Sequence, residues 1–214
     1  MTDFGDKKIL LVRHGRTEWN DEHRFQGQTD VPLNEAGLVQ ARKTASRLAK
    51  WPMDAVYVSP LVRARETAAA IAAPHRKDPI VLDELAEVGF GVWEGLYFNT
   101  LGQEMKEWLR DPFFLMPEGA ETWESLRLRA HRVKDILFSS AYERVVAVTH
   151  GAIMRGLFVA LLGLDPHTAW NIRVSNCSLC GIELRKGQAS LAFSNDDLHL
   201  KEGCDPPKIP LPVW

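Results

Sequence analysis

Three apolar runs along the chain share one layout: a charged or polar start, a β-rich apolar stretch, then a polar turn. They are KKILLVRHG (residues 7–15), DAVYVSP (54–60) and ERVVAVTHG (143–151). Continuous apolar runs without alternation fit strands covered on both faces, so these are predicted to be buried and parallel. Helical periodicity follows each of them. NEAGLVQARKTASRLAK (34–50) sets Leu38, Ala41, Ala45 and Leu48 on one face behind Asn34 as an N-cap. SPLVRARETAAAIAA (59–73) offers Ser59 as a cap and Pro60 in the first turn, and Pro74 stops it. AIMRGLFVALLG (152–163) is apolar nearly all round, which predicts a helix inside the core. AETWESLRLRAHRVKDILFSS (120–140) repeats Trp123, Leu126, Ala130, Val133, Ile136 and Leu137 at helical spacing. CSLCGIELRKGQASLAFSND (177–196) reads as two strands joined at Lys186 and Gly187.

Alternating strands and helices predict an α/β chain, a three-layer α/β/α sandwich on a mostly parallel central sheet, with residues 1–214 forming one domain. One region resists this grammar. Residues 95–119 carry Tyr97, Phe98, Trp108, Phe113 and Phe114, and Pro112 and Pro117 interrupt any long helix; the stretch reads as a lid. The proline-rich end KEGCDPPKIPLPVW (201–214) reads as a second segment able to cover a ligand.

Composition narrows the field rather than redirecting it. The 214 residues are 45% hydrophobic and 25% charged with a net charge of -2, so no global field favours nucleic acid or an acidic membrane surface. No run approaches the roughly 18 apolar residues of a membrane span, and MTDFGDKKIL lacks the pattern of a secretory signal; the expected location is the cytoplasm. Cys177, Cys180 and Cys204 are too few for a disulfide framework or a four-cysteine zinc site and read as free thiols.

Ligands of open parallel sheets bind beyond the carboxyl ends of the strands. Here those positions are basic: Arg13 and His14 end the first strand, Arg63 lies within five residues of Ser59 at the end of the second, and His150 ends the third. Each alone is ordinary. Three strand ends supplying matching chemistry, beside helix starts with free N–H groups, point to an anion, and phosphate suits them best. GFGVWEG does not make a dinucleotide site, because Gly89, Gly91 and Gly95 are wrongly spaced, and no P-loop or metal-spaced histidine pair occurs, so no cofactor or metal is expected.

The stretches LVRHGRTEWN, RFQGQTDVPLNEAGLVQA, SPLVRARETA, EVGFGVWEG and VTHGAIMR, in this order, resemble the histidine phosphatase superfamily, which includes the cofactor-dependent phosphoglycerate mutases. The resemblance implies a phosphoglycerate mutase-like fold and a phosphohistidine intermediate on His14, with Arg13, Arg63 and His150 around the phosphoryl oxygens. Gly15 would offer a carbonyl to orient the His14 ring. Glu87 matches the family's proton donor, with Glu84 and Glu94 as rivals. Asn20 resembles a phosphate-contacting asparagine, and Thr17, Gln26 and Gly27 match a substrate-facing loop. Two positions depart from many relatives: Ala152 replaces glycine, keeping its backbone N–H for an oxyanion, and Arg16 replaces an acid or glutamine, favouring extra negative charge on the substrate.

The expected activity is metal-independent hydrolysis of a small phosphomonoester. Phosphoglycerate mutase-type transfer is the alternative, and a silent phospho-ligand-binding module is a weaker one, since binding alone needs neither His14 nor Glu87. The expected partner is a small phosphorylated metabolite, with neither nucleic acid nor membrane, and a homodimer through a sheet edge or helix face is left open.

Overall fold

The computed structural model describes residues 5–206 of the chain. Six strands form one sheet: β1 (Lys7–Arg13), β2 (Ala55–Val58), β3 (Ile80–Val81), β4 (Arg144–Thr149), β5 (Leu179–Arg185) and β6 (Gln188–Asp196), in the order β3-β2-β4-β1-β5-β6. The first four run parallel, and β5 and β6 add an antiparallel hairpin. Its turn is at Lys186 and Gly187, both in the left-handed region with φ of 48° and 78°, so the two strands expected to join there form a hairpin through a two-residue turn. Strand β3 is absent from the sequence reading, because two half-exposed residues carry no periodicity.

Successive side chains of a strand face opposite sides. Ile9, Leu11, Val145 and Ala147 therefore pack on one layer, while Leu10, Val12, Val146 and Val148 pack on the other. The second layer holds α2 (Glu35–Leu48) and α3 (Val62–Ala72); the first holds α5 (Trp123–Ser139) and α6 (Gly151–Leu162). Three short helices, α1 (Glu18–Asp21), α4 (Gly102–Trp108) and α7 (Pro166–Trp170), lie in the connections. The α/β/α sandwich and the buried α6 agree with the sequence expectation. Among the described residues no helix is long and apolar enough to cross a membrane.

Local signals hold with instructive exceptions. Asn34 caps α2, its side chain accepting from Gly37 N at 2.9 Å, but Leu38 is 39% exposed and only Ala41, Ala45 and Leu48 of the predicted face are buried. Ser59 does not cap α3, which starts at Val62 after Leu61. Its hydroxyl oxygen accepts from Leu61 N at 3.3 Å, ahead of the helix, and meets His150 Nε2 at 2.7 Å, while Asp30 Oδ1 accepts from Val62 N at 2.7 Å at the start of α3. Within 95–119, Trp108 and Phe113 are buried in the main core, so much of that aromatic stretch is ordinary packing. The tail expected as a second cover lies partly outside the described residues, from 207 to 214.

Candidate active site

The end of β1 is pinned from several directions. His14 N donates to Thr149 O at 2.9 Å, Cys177 N donates to Arg13 O at 2.9 Å, Gly15 N donates to Thr67 Oγ1 at 3.0 Å, and Asn176 Nδ2 donates to His14 O at 3.0 Å. The His14 ring is fixed as well, with Nδ1 2.6 Å from Gly15 O. A carbonyl only accepts, so Nδ1 carries the proton and Nε2 keeps its lone pair. Burial, and then the charges of Arg63 and Arg13, hold the imidazole pKa well below its usual value, against the opposing pull of the Gly15 bond. The ring is therefore neutral at neutral pH, as a nucleophile must be.

Arg13 and Arg63 are held by backbone carbonyls rather than by acids. Arg13 Nη1 donates to Val174 O at 2.8 Å; Arg63 donates to Thr29 O at 2.9 Å and Gly27 O at 2.7 Å. Burial lowers both guanidinium pKa values, that of Arg63 to about 10, so both remain cations at neutrality. The Nε of each is buried without a hydrogen-bond partner, and both side chains line one cavity.

Glu87 reaches the start of α6. Its Oε1 accepts from Val88 N (2.9 Å) and Ile153 N (3.0 Å), and its Oε2 from Ala152 N (3.2 Å). The segment that carries it is clamped by Arg129, which donates to Glu84 O at 2.8 Å and Ala86 O at 2.5 Å and pairs with Glu121 at 2.5 Å. Neither rival acid lines the cavity. Glu94 is spent as a clasp, accepting from Gln28 N, Thr29 N, Thr29 Oγ1 and Phe90 N at 2.6–3.0 Å. Arg13, His14, Arg63 and Glu87 together line a cavity of about 170 Å³.

A profile of the histidine phosphatase superfamily (branch 1) matches residues 9–197. The chain belongs to this superfamily. It is 30% identical over 200 residues to phosphoserine phosphatase 1 of Hydrogenobacter thermophilus, spanning 91% of this chain and 95% of that one. A probable phosphoglycerate mutase of Cronobacter sakazakii is 32% identical over 184 residues, spanning 84% and 86%. Among solved structures, phosphoserine phosphatase from Entamoeba histolytica in complex with 3-phosphoglyceric acid aligns with a TM-score of 0.80 and 30% identity, over 91% of this chain and all of that one.

In this histidine phosphatase, Asn20, Gln26, Gly27 and Ala152 also line the cavity. Gly27 is there for backbone reasons: its φ is +50°, and a Cβ would lie 2.0 Å from Glu94 Oε1. Ala152 keeps its N–H, but that N–H is engaged by Glu87. Thr17 is a correction. It is fully buried outside the cavity lining, capping α1 in a reciprocal box with Asn20 and lying 2.9 Å from Gln26 Oε1, so it supports the loop from behind. His150 also stands behind the lining, its ring centroid 5.0 Å from that of His14 and its Nε2 on Ser59. Arg16 is exposed and paired with Asp21 outside the cavity lining, which removes it as a reader of substrate charge.

Two cavity cations escape the sequence reading. Arg24 pairs with Glu22 at 2.7 Å and lies over the Tyr97 ring. Arg155 projects from α6 into the cavity beside Trp170. A signal for Arg155 is present in the chain: it is the only charge in the otherwise apolar AIMRGLFVALLG. A lone cation on a helix expected to be buried needs a reason to be there.

Proposed function

We propose that the chain is a metal-independent phosphatase of a small phosphomonoester, working through a phosphohistidine on His14. The observation that carries this reading is the neutral His14 ring, its Nδ1 tied to Gly15 O, set among Arg13, Arg63 and Glu87 in one cavity. The substrate phosphate sits between Arg13 and Arg63, beside His14. His14 Nε2 attacks phosphorus in line; the P–N bond forms as the bond to the leaving oxygen breaks, and protonated Glu87 gives that oxygen its proton. Water, activated by the resulting Glu87 carboxylate, then attacks the phosphohistidine and releases inorganic phosphate. Glu87 leaves its backbone donors at the start of α6 to do this, which frees the N–H groups of Ala152 and Ile153 for a phosphoryl oxygen.

In this reading the substrate is a small phosphorylated metabolite and the site of action is the cytoplasm. A homodimer formed through the β3 edge, where Ile80 and Val81 are 38% and 47% exposed, is the assembly that sedimentation tests. A mutase is the second reading, favoured by the relative of that name. Rapid acid-free quenching with a ³²P-labelled ester in the presence of chelator should trap an acid-labile, base-stable phosphoprotein, and His14→Ala should lose both label and turnover. Full activity in that variant sinks the mechanism. Bisphosphate-dependent isomerisation of 3-phosphoglycerate faster than its hydrolysis would favour the mutase.

A further inference from the structure

We propose that Asn176 is a positioning residue that serves two groups at once, the His14 ring and the Asn20 amide; this rests on the cavity being the phosphate site. Asn176 lies just before β5 and outside the cavity lining. Its side-chain nitrogen meets three oxygens, donating to His14 O at 3.0 Å, Gly15 O at 3.3 Å and Asn20 Oδ1 at 3.2 Å. An amide nitrogen carries two hydrogens, so one of them is shared. Three oxygens gathered at one point repel each other unless a donor stands among them. A side chain that merely filled the space would leave them facing one another.

Each bond has a consequence inside the cavity. Gly15 O is the acceptor that keeps the proton of the His14 ring on Nδ1. Asn176 donates to that same carbonyl and to the one before it, so its amide sets where the anchor of the ring points. The third bond acts on Asn20. Thr17 N also donates to Asn20 Oδ1, at 3.2 Å, and a backbone N–H can only donate, which identifies that end of the amide as the oxygen. Asn20 Oδ1 is thus held by Thr17 and Asn176, while Nδ2 occupies the other branch of the planar amide, on a side chain that lines the cavity, and donates to no other group among the described residues. Donors on the oxygen of an amide polarise it and strengthen its N–H groups. Asn176 therefore aims Asn20 Nδ2 at a phosphoryl oxygen and makes it a better donor.

The turn that carries Asn176 is held in an unfavourable conformation to do this. Ser178 N donates to Ser175 O at 3.1 Å, closing four residues into a turn, and Ser175 N donates to Asn195 Oδ1 at 2.6 Å. Cys177, the third residue of the turn, has φ of 55°, a left-handed conformation that a residue with a Cβ keeps only where its surroundings impose it. Here they do. Val174 O accepts from Arg13 Nη1 at 2.8 Å, and Cys177 N donates to Arg13 O at 2.9 Å. Residues 174–177 thereby brace Arg13, His14, Gly15 and Asn20 from behind the cavity.

Asn176→Asp keeps the size of the side chain and removes both hydrogens; Asn176→Ala takes its place if the new carboxylate prevents folding. In protein labelled with ¹⁵N-histidine, with His14→Ala to assign the signals, the His14 ring should be in the Nδ1–H form, and the Asn176 variant should show an admixture of the Nε2–H form. Binding of inorganic phosphate, read by calorimetry, should weaken by roughly 10- to 100-fold, the scale of one hydrogen bond to a charged group. Adding Asn20→Ala should weaken it no further. A variant with an unchanged His14 tautomer would overturn the inference, and so would losses from Asn176 and Asn20 that simply multiply, because Asn176 would then not act through Asn20. Both readouts are independent of turnover. If they appear in a protein that hydrolyses no phosphomonoester, Asn176 keeps its role and the phosphatase reading falls; if turnover is found without them, the reverse holds.

Discussion

Glu87 holds two incompatible positions in one catalytic cycle, acceptor at the start of α6 and proton donor to the leaving oxygen. The consequence is a dependence on the leaving group. Glu87→Gln removes the transferable proton and keeps the size of the side chain. Hydrolysis of alkyl phosphates should then fall by about 10²–10⁴-fold, the usual scale of general acid catalysis. Hydrolysis of p-nitrophenyl phosphate should fall far less, because its phenolate leaves without help. Steady-state rates on the two substrates check this, and an equal loss on both would assign Glu87 to structure alone. At this scale the sequence carries most of the cluster, since a strand end is legible from its apolar run and the residue after it inherits a place. It does not carry whether a polar side chain faces the ligand or the loop behind it. Thr17 and Asn20 sit three residues apart and share one capping box, yet Thr17 is buried while Asn20 lines the cavity.

The catalytic loop depends on how closely one helix can approach it. The first turn of α2 abuts residues 15–16 so tightly that a Cβ on Gly37 would stand 2.0 Å from Arg16 O, and one on Gly15 would stand 2.7 Å from Gly37 O. Both obstacles are backbone, which has little room to yield. Gly37→Ala should therefore push α2 off the loop and cost about 1–3 kcal/mol of stability, the usual scale of overpacking. It should also lower kcat by shifting the Gly15 carbonyl that fixes the His14 ring. Denaturant unfolding and turnover should fall together; a stable, fully active variant would show the contact to be dispensable. The existence of α2, and its Asn34 cap, is plain in the sequence, whereas this contact is not, because a glycine within a helical pattern reads only as a weak helix former. The start of α3 is misread for a related reason. Ser59 satisfies the local rule for a cap, but its hydroxyl accepts from Leu61 N and meets His150, ninety-one positions away, and the helix begins only at Val62.

Across the whole molecule, three buried histidines tie stability to pH. Burial and neighbouring arginines hold His14 and His150 well below the ordinary imidazole pKa, and burial with Arg47 takes His199 down to about 4. In the unfolded chain each titrates near 6.5. Below that pH, and down to each folded value, the unfolded state binds more protons than the folded one, so stability rises with pH and is lost as pH falls from 7 toward 5. Each proton taken up on unfolding contributes about 1.4 kcal/mol per pH unit, and the three histidines act in overlapping windows. Asp54, where burial raises the pKa but the hydrogen bonds and charge of Arg144 together bring it below the usual value, works in a separate window below about pH 4 and leaves this range untouched. The thiols of Cys177 and Cys180, pushed up by burial to about 12 and about 11, stay protonated throughout. Urea unfolding at pH 7, 6 and 5 should thus show a progressive fall in stability rather than a plateau. His199→Gln removes one titrating group outside the lining of the phosphate cavity while leaving an amide able to bond Thr44 Oγ1, which His199 Nε2 meets at 3.0 Å. Its stability should depend on pH less steeply by about one proton. A curve flat between pH 7 and 5 would mean that the histidines become solvated and charged without unfolding, and that the neutral His14 on which the chemistry depends is not enforced by the fold.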